Sequence, residues 1–125
     1  MATHSSETLG SGPAVAALLS VGIGLLALAL SHVGSEVSGS FKNTMQALGN
    51  LWIPGAKGIG PYSGKETAAL LTWLGGWLLL HLLLRKRELS IMLSAIVSLL
   101  LIGTATTLLW PPVTEIVVHH LQRAP

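Results

Sequence analysis

TAALLTWLGGWLLLHLLLRKRELSIMLSAIVSLLLIGTATTLLW, Thr67–Trp110, is two long apolar runs joined by four charged residues. Thr67–Leu84 and Leu89–Trp110 each contain no Asp, Glu, Lys or Arg, and each is about the 20 residues that an α-helix needs to cross a bilayer. Only Arg85, Lys86, Arg87 and Glu88 lie between them. This pattern predicts a tight helical hairpin in a membrane, with Pro111 and Pro112 stopping the second helix.

Upstream, AVAALLSVGIGLLALAL, Ala14–Leu30, is a third such run, and Pro13 suits a first helical position. Ala27-Leu28-Ala29 resembles a signal-peptidase site, but no Lys or Arg precedes the run as in a secretory leader, so it reads as a transmembrane helix. The composition agrees. Half of the 125 residues are apolar and 10% are charged, against about 25% charged in a soluble domain. Three such runs leave too few polar residues to cover a soluble bundle. The expected fold is an all-α integral membrane protein, one membrane domain over 1–125, with spans at about 14–32, 65–85 and 88–110. Residues 1–12 read as a flexible tail, 33–64 as an external loop with a helix, and 111–125 as an external C-terminal helix.

Two further segments have a helical apolar face. Val37, Phe41, Met45, Leu48 and Trp52 recur at spacings of three and four, predicting an amphipathic helix at about 36–49. Val113, Ile116, Val117, His120 and Leu121 predict another at about 112–122. Both suit the membrane interface, with Trp52 at headgroup depth; the first suits equally the outer surface of a partner protein. The three positive charges of Arg85–Arg87 place that tip in the cytoplasm by the positive-inside rule. The N-terminus is then cytoplasmic, and the 33–64 loop and C-terminus are external. The membrane expected is a bacterial inner or photosynthetic one.

GIGPYSGKET, Gly58–Thr67, looks like a phosphate loop but fails its register. The pattern G-x-x-x-x-G-K-[ST] needs glycine at Ile59 and a hydroxyl at Glu66. The dinucleotide pattern G-x-G-x-x-G needs glycine at Ser63. Ser63 and Glu66 instead fit a capping box that would start the second span. No basic run marks a nucleic-acid surface, and neither nucleotide nor nucleic acid is expected as a partner.

Trp73, Trp77, His81 and Arg85 are four apart and form one ridge on the second span. His81 lies within the hydrocarbon, where an ionisable side chain is a functional candidate. It suits an axial ligand for haem or a (bacterio)chlorophyll, with Trp77 and Trp73 as contacts. It also suits a hydrogen bond to a partner subunit or quinone, or simple packing. His32, Glu36, His119 and His120 are of metal-ligand type, but adjacent histidines on a helix point about 100° apart, and no metal site is expected. There is no cysteine for thiolate ligation. Small residues at spacings of four (Ala16, Ser20, Gly24; Ala68, Thr72, Gly76; Ser90, Ser94, Ser98) suit close helix packing. No nucleophile–base set and no charged path through the bilayer is evident. The expected function is a non-catalytic accessory subunit of a membrane-embedded energy-transducing complex, respiratory or photosynthetic, whose partners are other integral membrane subunits and bound lipid. The alternative is a pigment- or haem-binding antenna or electron-transfer subunit using His81.

Overall fold

The computed structural model describes residues 10–124, so most of the expected tail, 1–9, lies outside the described residues. The architecture is all-α, with no strand among the described residues. Its elements are α1 (Gly12–Val37), α2 (Gly39–Asn50), α3 (Ala56–Ile59), α4 (Tyr62–Leu84), α5 (Ile91–Leu109) and α6 (Pro111–Arg123). The helices α1, α4 and α5 are each long and apolar enough to cross a membrane, and the protein is an integral membrane protein.

The order of the three long helices differs from the expected hairpin. The helices α4 and α5 follow each other in sequence but do not touch; α1 lies between them and packs on both. Two glycines of α1 show how. Gly22 and Gly24 lie about 200° apart around the helix. A Cβ on Gly22 would come 2.9 Å from Leu101 Cβ of α5, and one on Gly24 would come 2.7 Å from Trp73 Cβ of α4. The two glycines let α1 approach both neighbours at contact distance, as small residues do between membrane helices. Ser98 of α5 adds a hydrogen bond from its hydroxyl to the Leu18 carbonyl, 2.6 Å. The short link cannot bring α4 and α5 together because the start of α1 fills the space. The Gly12 N–H donates to the Arg87 carbonyl at 3.0 Å, and Ser11 Oγ exchanges hydrogen bonds with Leu89.

The small-residue stripes divide accordingly. Ala16, Ser20 and Gly24, and Ser94 and Ser98, are buried as expected. The α4 stripe is looser, and a Cβ added to Gly76 would meet nothing. The ridge and the small face of α4 are therefore not cleanly separated, because Trp73 itself sits on α1.

The opposite end of the layer carries α2, α3 and α6, here termed the cap end; Arg85–Glu88 form the tip end. Extended Ser38 breaks α1 from α2 (φ −127°, ψ 116°), and its hydroxyl accepts from the Phe41 N–H at 3.3 Å. The apolar side of α2, Phe41, Met45 and Leu48, is turned inward. It rests on this chain's own α4. The approach is close because a Cβ on Gly64 would fall 1.7 Å from the Met45 carbonyl oxygen. Next comes α3, a single helical turn. It is bounded by Gly55 (φ 79°) and Gly60 (φ 70°), left-handed positions that glycine tolerates.

The helix α6 packs through a polar residue. Thr114 is buried, with its hydroxyl donating to the Leu108 and Trp110 carbonyls, while Ile116 and Leu121 are exposed. A threonine that satisfies its hydroxyl on the preceding turn can face inward, leaving the larger apolar side chains for lipid.

Candidate functional site

The charged groups of the described chain lie at its two ends, and one is buried. Lys65, in the first turns of α4, is 2% exposed. A buried ammonium is costly unless its N–H groups find partners, and α1 supplies them. His32 and Glu36 are four apart and share one face of α1. Lys65 Nζ lies 3.1 Å from His32 Nδ1 and 4.0 Å from Glu36 Oε1, and 4.7 Å from the centre of the Tyr62 ring. A charged Lys65 donating to Nδ1 requires neutral imidazole with its proton on Nε2. Glu36 is half exposed, and its backbone carbonyl accepts from Gln122 Nε2 of α6 at 3.4 Å. The cluster thus ties α1 to α4 at the cap end, with α6 closing over it.

The surrounding residues explain the GKE motif differently from the capping box. No hydrogen bond joins Ser63 to Glu66. The helix α4 already starts at Tyr62, so Ser63 is inside it, fully buried, and its hydroxyl donates to the Gly60 carbonyl at 3.1 Å. Thr67 Oγ1 donates to the Ser63 carbonyl at 2.6 Å and accepts from Trp52 Nε1 at 3.1 Å. Ser63, Gly64 and Lys65 all face protein, and Glu66 alone faces outward. The motif is a docking surface for α1 and α2.

Glu66 stands at one end of an apolar groove of about 440 Å³ between α1 and α4. Val21, Leu25 and Leu28 form one wall, and Ala69, Leu70 and Trp73 the other. The Glu66 carboxylate forms no ion pair with any described residue.

The other sequence candidates lie elsewhere. Trp73 is at the α1 contact, whereas Trp77 is 40% exposed and His81 half-buried towards the tip end. The Trp77 and His81 rings are 5.5 Å apart, tilted by 32°, so the indole covers part of the imidazole. The His81 ring makes no hydrogen bond with a described residue. His119 and His120 are exposed on α6, and no three metal-ligating side chains converge among the described residues. The Nδ1 lone pair of His32 is occupied by Lys65 Nζ.

Sequence reading missed the burial of Lys65 because the capping-box reading put it at the external start of the second span. The available signal was the His32/Glu36 pair, an imidazole and a carboxylate on one face at the end of an apolar helix. No protein-family model, curated protein or solved structure matches the chain.

Proposed function

We propose that the protein is a non-catalytic accessory subunit of a larger membrane-embedded complex, of respiratory or photosynthetic type, which it stabilises through helix packing. The observation that supports this reading is the open layer of three helices. In the most apolar stretch of each helix, 39% of the α1 residues are buried, against 6% in α4 and 17% in α5. A chain that places one helix in the middle and leaves the outer two with few buried residues has a large surface available for neighbouring subunits and lipid. Among the described residues Asp, Glu, Lys and Arg lie at the two ends, so no path of such charges crosses the layer as a transporter would need. The tip end, with Arg85, Lys86 and Arg87, faces the cytoplasm in this reading, and the cap end faces the outside of a bacterial inner or photosynthetic membrane.

Extraction in mild detergent, a native gel and mass spectrometry of the band test the proposal. A stoichiometric assembly of integral membrane subunits is expected. Migration as a lone 13.1 kDa chain with its lipid would sink it.

The half-buried His81 beside Trp77 favours one alternative, a haem or (bacterio)chlorophyll contact. An absorption band lost in His81→Ala, with the assembly intact, would establish that reading in place of the first.

A further inference from the structure

We infer that the α1/α4 groove is a binding site for one phospholipid with a primary-amine headgroup, its ammonium on Glu66 and an acyl chain between the helices. This deepens the accessory-subunit reading by naming a lipid, but it rests on separate observations.

The first is polarity. The groove walls are apolar from end to end, and the one ionisable group is Glu66. From Glu66 to Trp73 is seven residues, about 10 Å along α4, and Leu28 to Val21 is the same distance along α1. A single charge at the membrane-surface end with hydrocarbon below it is the profile of one amphiphile standing in a leaflet.

The second is depth. Glu66 follows Lys65, and the Lys65/His32/Glu36 cluster with α2 and α6 above it marks the cap end, where headgroups lie. The third is extent. The groove ends at Val21 and Trp73, where Trp73 Cβ rests on Gly24. A transmembrane partner helix would need a groove running the height of the layer; this one takes the upper part of a single chain.

Charge complementarity selects the headgroup. Lys65, the cation next to Glu66 in sequence, is turned inward to His32 and Glu36, so the Glu66 carboxylate is left to an outside cation. A primary ammonium offers three N–H donors to it. A quaternary ammonium offers none, and a glycerol headgroup leaves the phosphate charge uncompensated beside the carboxylate. The selectivity belongs to an exposed ion pair, worth about two- to five-fold in affinity.

The test reconstitutes the full chain in vesicles containing equal parts of phosphatidylethanolamine, phosphatidylglycerol and phosphatidylcholine. Lipids retained after mild extraction are then counted by native mass spectrometry. One tightly held lipid per chain is expected, enriched about two- to five-fold in phosphatidylethanolamine. Glu66→Gln should keep the lipid and lose the preference. Ala69→Phe, which fills the groove, should lose the lipid. Equal retention of the three headgroups by the unaltered chain, or a preference that survives Glu66→Gln, overturns the proposal. So does undiminished lipid in a folded Ala69→Phe chain. The outcome is distinguishable from that of the native gel: a solitary chain that still selects the amine lipid would sink the complex and leave the site.

Discussion

Gly64 and Lys65 are neighbours, and both owe their positions to close contact with another helix. Gly64 lies against the Met45 carbonyl of α2, where an added Cβ would have only 1.7 Å. Gly64→Ala should therefore push α2 off α4 and cost about 1–3 kcal/mol, the range for overpacking. Gly75, in the same helix, has nothing within 4 Å of an added Cβ. Gly75→Ala should instead stabilise α4 by about 0.5–1 kcal/mol, because alanine has less backbone freedom to lose. Thermal unfolding of the two variants in one detergent checks the opposite signs; a phosphate-binding loop would give no reason for Gly64 to depend on α2. Lys65→Met retains most of the stem's apolar contact but removes the donor to His32. It should cost about 1–3 kcal/mol, the price of leaving a polar partner unmatched, and the loss should shrink when His32→Leu is added. A double-mutant cycle measures that coupling. None of this was legible in the GKE motif itself, since whether a lysine points to water or to a second helix is decided by residues 33 positions away.

The helices themselves were largely legible, because an apolar run without charges permits little else in lipid. The spans begin and end within a few residues of the expected limits, except that α1 continues to Val37. Its last turns carry Ser31, His32, Ser35 and Glu36, a polar stretch that hydropathy reads as loop. It stays helical because Lys65 and α6 hold it and Ser35 returns its hydroxyl to the Ser31 carbonyl at 2.8 Å. Starts were read less well. The sequence pattern assigned a cap to Ser63, whereas the hydroxyls that accept from helix N–H groups are Ser38 for α2 and Ser90 for α5. Ser90 Oγ accepts from the Leu93 N–H at 3.1 Å. Ser90→Ala should cost about 1 kcal/mol, as loss of such a cap does, and speed hydrogen exchange in the first turn of α5. Glu66→Ala should leave exchange at the start of α4 unchanged. Protection lost there would restore the capping box.

At the scale of the whole molecule, the three-helix order was the feature sequence could not supply. A four-residue link normally implies neighbouring antiparallel helices, and here the link instead bends over the start of α1. Two opposed glycines on α1, Gly22 and Gly24, were visible, but a spacing of four drew attention to Gly24 alone and left Gly22 unread. The consequence is open to a direct test, since the chain has no cysteine of its own. Gly22→Cys with Leu101→Cys places two sulfurs across the α1/α5 contact, where the Cβ positions are 2.9 Å apart. A small outward shift brings them to the roughly 3.5–4.5 Å of a disulfide. Oxidation should close that bridge within one chain. Leu79→Cys with Ile96→Cys, on α4 and α5, should close none, because α1 keeps those helices from touching. In an ordinary hairpin α4 and α5 would cross-link along their length, and α1 would be free to sit on either outer face. A fast intrachain α4–α5 bridge would therefore overturn the central position of α1. With it would go the observed α1/α4 groove and the two outer helices of few buried residues on which the accessory role depends.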